Sequence, residues 1–277
     1  MMSLPDFSEK KILMIRNKGD INNNLKFSNS NLVLIDDMGI KDKISCHIVF
    51  AVFIIGECTL TSRLIREFKD HGIALFLLNY SLKSYAEISS VAEGNYTLRN
   101  IQYHLDDETS LEMAKKLIEN KINNQLTLLK QYSKSDMIEE NLDIIRDIRN
   151  PESLLGIEGS YSSRYFKKIF SEHKWYRRAP TAKEDITNLL LDIGYTFLFN
   201  IADACLRLYG FDTYKGFYHK LFFQRKSLSC DVMEPFRIII DKALIKAYNL
   251  GQIDEKDFQF KNGYFSFKKY GSQYKYT

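Results

Sequence analysis

The fold is decided by three consecutive segments: Ile48-Val-Phe-Ala-Val-Phe-Ile-Ile55, Thr59-Leu-Thr-Ser-Arg-Leu-Ile-Arg-Glu-Phe-Lys-Asp-His-Gly72 and Ile73-Ala-Leu-Phe-Leu-Leu78. The first apolar run is far too short to cross a bilayer, so it and the last run predict buried strands. The middle segment opens with threonines that can cap a helix and ends in a glycine suited to a left-handed C-cap. Together the three predict a sheet covered by at least one helix.

The pattern on either side of this stretch divides the chain in two. Before it, short apolar runs at 11–16 and 31–36 are separated by turn residues, which is typical of strands. After residues 95–105, long segments with helical spacing take over. We therefore predict an α+β protein, with a β-rich N-terminal domain over residues 1–95 and a larger helical domain over residues 96–277.

The helical half contains several local signals. Thr109-Ser-Leu-Glu112 is predicted to be a capping box that starts a long helix, and Asn150-Pro151 to be an N-cap followed by proline at the first helical position. Further helices are predicted at 138–148, at 151–170, at 185–209 before Gly210, and at 230–250 behind a Ser229 cap. Alternating aromatic residues around Asn262-Gly263 predict a hairpin with a type I′ turn.

Composition sets the broad class of protein. The chain has 277 residues, of which 45% are hydrophobic, enough for a sizeable core. The net charge of +4 does not by itself indicate nucleic-acid binding, which would require local basic patches. None of the four cysteines lies in a Cys-x-x-Cys pair, so a zinc or redox motif is not indicated. The N-terminal residues lack the apolar stretch of a signal peptide, so we expect a cytoplasmic protein.

Four side chains are candidate metal ligands: His219, Asp231, Glu234 and Glu158. One imidazole with two or three carboxylates is a ligand set for a divalent metal. Each residue taken alone has a simpler interpretation, as a solvated side chain or as a carboxylate that compensates a helix dipole. Glycines stand on both sides of Glu158, although glycine destabilises a helix interior. One reason to tolerate them is the close approach of another backbone or a ligand to that position. Helix packing remains the alternative reason for the two glycines.

The residues around these candidates resemble one family, the CRISPR-associated spacer-acquisition integrases. The resemblance is carried, in order, by Leu155-Gly-Ile-Glu-Gly-Ser-Tyr-Ser-Ser-Arg-Tyr-Phe166, Arg177-Arg-Ala-Pro180, Gly210-Phe-Asp-x-Tyr-x-Gly-Phe-x-His219 and Ser227-Leu-x-x-Asp-x-Met-Glu-Pro-Phe-Arg237. The chain departs from the family in three places. Serines follow Glu158 where alanines are usual, Pro180 stands alone where a proline pair is common, and Glu234 stands where Asp is frequent.

This resemblance implies a site and a reaction. The family's metal ligands map to Glu158, His219 and Glu234, with Asp231 close enough to share the site as an extra carboxylate. The expected metal is Mn²⁺ or Mg²⁺, and a histidine ligand favours manganese. The implied chemistry is attack by the 3′-hydroxyl of a short DNA duplex on a phosphodiester at the border of a CRISPR repeat. With water as the nucleophile, the same site would be a nuclease.

The resemblance also implies partners. Family members act as homodimers, and two such dimers are commonly joined by a small ferredoxin-like subunit. No membrane is expected to take part. We expect the N-terminal domain to mediate dimerisation, with the Ile48–Ile55 segment and the sheet edges as candidate association surfaces. Basic residues near the motifs are candidates for contacts with DNA phosphates. They are Arg164, Arg177, Arg178, Lys220, Arg225, Lys226 and Arg237.

Three other functions are compatible with the same sequence features. The first is a metal-dependent nuclease or branched-DNA resolvase that does not integrate. The second is a catalytically inactive DNA-binding scaffold, which intact Glu158, His219 and Glu234 argue against. The third is a transposon-encoded relative, which we expect to need more chain after Arg237 for a further DNA-binding domain.

Overall fold

The computed structural model describes residues 9–17, 24–36, 38–80, 82, 84–88, 95–132, 142–173, 175–219 and 223–268. The described residues form two compact units. The first comprises those of Met1–Tyr96 together with Ala204–Phe211, and the second those of Thr97–Asp203 together with Asp212–Thr277. A β-rich region is followed by a helical region. The predicted α+β fold is therefore confirmed.

The first unit contains two sheets. Its strands are β1 (Lys11–Arg16), β2 (Asn24–Ser28), β3 (Asn31–Asp36), β4 (Gly39–Ser45), β5 (Val49–Ile55), β6 (Ala74–Leu78) and β7 (Ser84–Ile88). One sheet has the order β1-β5-β6-β7, with β5 parallel to both of its neighbours, and the other is the antiparallel sheet β2-β3-β4. Every residue of β5 is buried. The expectation that this segment is an association surface is therefore wrong, because β5 lies at the centre of its sheet.

The predicted strand, helix and strand are confirmed around α1 (Ser62–Asp70). The Thr61 side chain accepts a hydrogen bond from the Leu64 amide, as expected of an N-cap, and Gly72 adopts a φ of +66° just after the helix. Leu64 and Phe68 are buried and belong to the same apolar cluster as residues of β5 and β6. Burial of this helix face therefore ties α1 to the sheet.

The second unit is built mainly from helices. The helices that follow the sheet along the chain are α2 (Tyr96–Tyr103), α3 (Asp107–Tyr132), α4 (Asp143–Arg146), α5 (Pro151–Ile169), α6 (Ile186–Leu208), α7 (Ser227–Met233) and α8 (Arg237–Asn249). A hairpin of β8 (Phe258–Lys261) and β9 (Tyr264–Phe267) follows them. The predicted type I′ turn is confirmed, since Asn262 and Gly263 both have positive φ. Of the helix predicted at 138–148, residues 138–141 lie outside the described residues.

Two predicted helix starts are wrong and one is confirmed. Asp106, not Thr109, caps the start of α3, because its carboxylate accepts hydrogen bonds from both the amide and the hydroxyl of Thr109. Ser229 does not cap the last helix, because it lies inside α7 and its hydroxyl donates to Asp203. Asn150 caps α5 as predicted, accepting from the Ser153 amide ahead of Pro151.

The last helix is also divided where the sequence predicts one continuous helix. A 3₁₀ turn, Glu234–Phe236, separates α7 from α8. Pro235 has no amide hydrogen, so it cannot donate the hydrogen bond that would continue the preceding helix. The division changes the position of Glu234, which lies in the turn instead of the first turn of a helix.

Helix α6 is long and apolar enough to cross a membrane by length and composition alone, the one such helix among the described residues. More than half of its most apolar stretch is buried inside the protein. It also carries buried polar side chains that are hydrogen-bonded within the second unit. Asn188, for example, accepts hydrogen bonds from Arg178 and from the Ala179 amide.

Candidate metal and DNA site

Glu158 and Glu234 meet at one lysine. Glu158 projects from α5 and Glu234 from the 3₁₀ turn, and Lys121 of α3 forms an ion pair with both. The Lys121 Nζ contacts Oε1 of Glu158 and lies 2.7 Å from Oε2 of Glu234. Two carboxylate oxygens that touch one nitrogen are close enough for a single cation to contact both.

This cluster is buried and closely balanced in charge. The side chains of Lys121 and Glu234 are each only 7% exposed, and Arg237 lies 3.0 Å from the second oxygen of Glu234. Burial opposes the ionised form of Glu234, but the charges of Lys121 and Arg237 outweigh it and lower the pKa of this carboxyl to about 2. At neutral pH two carboxylates therefore face two cationic side chains.

His219 is held by Asp231. Oδ2 of Asp231 accepts the amides of Phe217 and Tyr218 at 2.8 and 3.0 Å. Its Oδ1 accepts the His219 amide at 2.9 Å and lies 2.6 Å from Nδ1 of the same residue. Since Asp231 is completely buried, these contacts fix the backbone of the loop and leave Nε2 as the imidazole nitrogen available to a metal.

Gly216 is required by the same loop. A Cβ atom at this position would lie 2.5 Å from Oδ2 of Asp231 and 2.9 Å from the Cβ of Ser227. Any side chain would therefore push Asp231 away from the amides that it binds. The group that approaches Gly216 closely is a carboxylate of the protein.

Two residues of this region were missed by sequence reasoning. Lys121 is a charged residue, but it lies three residues after Ile118 and next to Ile122, and so on the buried face of α3. Tyr218 is 7% exposed, and its hydroxyl is buried without a hydrogen-bond partner among the described residues. Burial, followed by the nearby charges of Glu158, Glu234 and Asp231, raises the pKa of Tyr218 well above its usual value. No local motif marks either residue in the sequence.

A second buried cluster, centred on Asp241, lies beside the arginine that pairs with Glu234. The hydroxyls of Tyr165 and Tyr195 donate to Asp241 at 2.8 and 2.5 Å. Burial of Asp241, only partly offset by these hydrogen bonds, raises its pKa to about 6. The Arg237 guanidinium packs 4.5 Å from the centre of the Tyr195 ring. This packing fixes the arginine that pairs with Glu234.

The basic residues predicted to contact DNA fall into two groups. Arg178, Lys226 and Arg237 form ion pairs with Asp192, Asp203 and Glu234 in partly buried positions. Arg164, Arg177 and Arg225 are exposed. Lys220 lies outside the described residues. The exposed group, in which Arg177 pairs with Glu184 at the surface, is therefore better placed than the partly buried group to meet a phosphate.

The glycines beside Glu158 are not explained by packing. A Cβ atom at Gly156 or Gly159 would meet nothing within 4 Å, although both lie inside α5. Helix packing is therefore not the reason for either glycine within the described part of the chain. The two positions leave an open helix surface next to the carboxylate.

This open surface leads to a prediction about stability. Replacing Gly159 by alanine should raise the free energy of unfolding by about 0.5–1 kcal/mol, because glycine disfavours a helix interior by that amount. Urea denaturation would measure the change. As a matched control, Gly194→Ala in α6 should destabilise by about 1–3 kcal/mol, since its Cβ would collide with Ile240. A loss of stability in Gly159→Ala would contradict the open surface.

The donor groups fit a divalent cation with some rearrangement. Among the described residues, no group of three His, Cys, Asp or Glu side chains is arranged to hold a metal ion directly. The Glu158 and Glu234 oxygens nevertheless already share one cation, the Lys121 ammonium. Oxygen ligands of this type suit Mg²⁺ and Mn²⁺, and the imidazole nitrogen of His219 suits Mn²⁺.

Comparisons with known proteins find relatives of this chain both in sequence and in structure. The family model described as CRISPR associated protein Cas1 matches residues 20–275. A curated relative, "CRISPR-associated endonuclease Cas1 1" of Thermodesulfovibrio yellowstonii, is 31% identical over 225 residues, covering 75% of this chain and 71% of the relative.

Solved structures are similar over nearly the whole chain. A casposase bound to integration product has a TM-score of 0.78 at 25% identity, covering 96% of this chain and 80% of that one. A chain of a partial Cas6-RT-Cas1–Cas2 complex has a TM-score of 0.65 at 26% identity, covering 96% of this chain and 86% of that one. The chain thus resembles proteins named for cutting or integrating DNA.

Proposed function

The chain belongs to the Cas1 family of CRISPR-associated proteins, and from this premise we propose that it is a divalent-metal-dependent DNA integrase. In this proposal, the 3′-hydroxyl of a short DNA duplex attacks a phosphodiester in a CRISPR repeat array and joins to it. The observation that carries the proposal is the convergence of two carboxylates, from α5 and from the 3₁₀ turn, on one buried cation. The coarser role of a Cas1 nuclease or integrase follows from the family.

Each residue of the site has a task in this proposal. Glu158, Glu234 and His219 would hold Mn²⁺ or Mg²⁺, which when bound supplies Lewis-acid polarisation of the scissile phosphate and stabilises charge on the leaving 3′-oxygen. Asp231 orients His219 through Nδ1, so that Nε2 can serve as the ligand. Arg237 keeps Glu234 ionised. Asp231 is therefore assigned to positioning, since both of its oxygens are engaged by the loop.

DNA and protein partners complete the proposal. Arg164, Arg177 and Arg225 are exposed and would hold the DNA backbone by phosphate contacts that carry no sequence information. We also propose a homodimer, joined to a small ferredoxin-like subunit in the prokaryotic cytoplasm. The similarity to a chain of a Cas1–Cas2 complex supports a partner subunit.

A strand-transfer assay tests this function. The protein would be incubated with Mn²⁺, a short duplex with free 3′-hydroxyls and a plasmid that carries a repeat array. We expect a joined product with the wild-type chain and none with Glu158→Ala, because the variant lacks one carboxylate of the pair. Glu172→Ala removes an exposed glutamate just after α5 and should leave the product unchanged. Circular dichroism would verify that both variants fold.

The other outcomes separate the alternatives. Mn²⁺-dependent cutting without joining, lost in Glu158→Ala, would favour the nuclease. If the same reaction joins DNA once a ferredoxin-like subunit is added, the result would support the integrase and not the nuclease. DNA binding with neither product, unaffected by Glu158→Ala, would leave the inactive scaffold.

A further inference from the structure

Lys121 is a buried lysine placed between two acidic groups of the site. Its side chain is 7% exposed, and it reaches from α3 to α5 and to the 3₁₀ turn. The neighbouring contact from Asn124 to the Pro235 carbonyl, 2.9 Å long, fixes α3 against the same turn. A charged lysine is almost never buried unless it is paired. The two carboxylates therefore allow Lys121 to be buried. In turn, the ammonium of Lys121 lets two like-charged carboxylates lie close together.

The charges of the cluster limit what else can bind there. Lys121 and Arg237 supply two positive charges against the two carboxylates. A divalent cation that joined this set would place a third cationic group against the same carboxylate oxygens in a buried site. Like charges repel strongly where water is largely excluded. The ammonium and a metal ion would therefore compete for the same two oxygens.

We propose that Lys121 couples metal binding to DNA binding, by giving up the Glu158–Glu234 pair to the metal only when a DNA phosphate can receive its ammonium. The inference rests on the proposed function, because it takes the carboxylate pair to be the metal site. Within the described part of the chain, Glu158 and Glu234 are the carboxylates that contact Lys121. A phosphodiester would give the displaced ammonium a new anionic partner, which a buried lysine needs.

The coupling can be measured without any reaction. Electron paramagnetic resonance of free Mn²⁺ would give the Mn²⁺ affinity with and without a short duplex whose 3′ ends are deoxy, so that joining is blocked. For the wild-type chain we expect DNA to raise the Mn²⁺ affinity at least about tenfold, and Mn²⁺ to raise the DNA affinity by the same factor. Lys121→Met should bind Mn²⁺ about tenfold tighter than wild type without DNA and gain little from DNA.

Two further variants serve as the control and the reserve for this experiment. Lys115 is also a buried lysine of α3, but it pairs with Glu112 and the Arg146 carbonyl, so Lys115→Met should behave like wild type. Lys121→Gln keeps a hydrogen-bond donor for the carboxylates without the charge, and it serves if the methionine variant unfolds.

The outcomes distinguish this inference from the function on which it rests. Equal or weaker Mn²⁺ binding by both Lys121 variants in the absence of DNA would overturn the coupling. Failure of the proposed function has a different signature. In that case wild type would bind no Mn²⁺ with or without DNA, or its Mn²⁺ binding would be unaffected by Glu234→Gln.

Discussion

Asp231→Ala is expected to lower the free energy of unfolding by about 3–5 kcal/mol and to abolish strand transfer. The carboxylate is completely buried and engages three backbone amides and the His219 ring nitrogen. Its removal leaves these donors without an acceptor, and each unsatisfied buried group costs about 1–3 kcal/mol. The loop that presents His219 would lose its shape at the same time. Urea denaturation and the strand-transfer assay would measure the two effects.

Two further variants separate stability from catalysis. Asp254→Ala removes an exposed acidic cap, the acceptor of the Lys256 amide, and should cost only about 1 kcal/mol. Asp231→Asn keeps the shape of the side chain but no longer offers two acceptor oxygens. We expect its Mn²⁺ affinity to fall about 10- to 100-fold, as is usual when the partner of a metal-binding histidine is changed. Unchanged stability and Mn²⁺ binding in these Asp231 variants would show that the loop is held by other contacts.

Local signals in the sequence predicted most of the fold. The apolar runs of β5 and β6, the cap at Asn150 and the Asn262-Gly263 turn each depend on neighbouring residues, and the structure confirms them. The errors arose where two local signals compete. Asp106 replaces Thr109 as the residue that caps α3, because its carboxylate accepts hydrogen bonds from both the amide and the hydroxyl of Thr109.

The candidate site depends on contacts between distant parts of the chain. The sequence pointed to Glu158, His219 and Glu234 through a family resemblance, and it gave no distance between them. The Lys121 pairs span 37 residues to Glu158 and more than 100 to Glu234, so no spacing rule predicts them. The positioning role of Asp231 depends on hydrogen bonds between α7 and residues 217–219, which lie 12 to 14 positions earlier in the chain, and periodicity does not describe such contacts.

Glu234→Gln should cost about 3 kcal/mol of stability at pH 7, and this loss should shrink as the solution is acidified. The wild-type carboxyl has its pKa lowered from 4.5 to about 2, because Lys121 and Arg237 together outweigh its burial. A lowered folded-state pKa means that the stabilisation is complete above about pH 4.5 and is lost as the pH falls towards 2. Urea denaturation of both chains at pH 7, 5, 4 and 3 would measure the difference between them.

Asp241 also titrates over this pH range, in the opposite direction, so the variant must be compared with wild type at each pH. Burial raises its pKa from 3.8 to about 6, so its contribution is complete below about pH 3.8 and is lost as the pH rises through 6. Both chains contain Asp241, so subtracting the variant from wild type removes the part of its contribution that the two chains share. Glu184→Gln breaks an exposed pair with Arg177 and should change the stability little, because solvent screens surface ion pairs. A difference between wild type and Glu234→Gln that stays constant from pH 7 to 3 would mean that packing, not charge, holds Glu234.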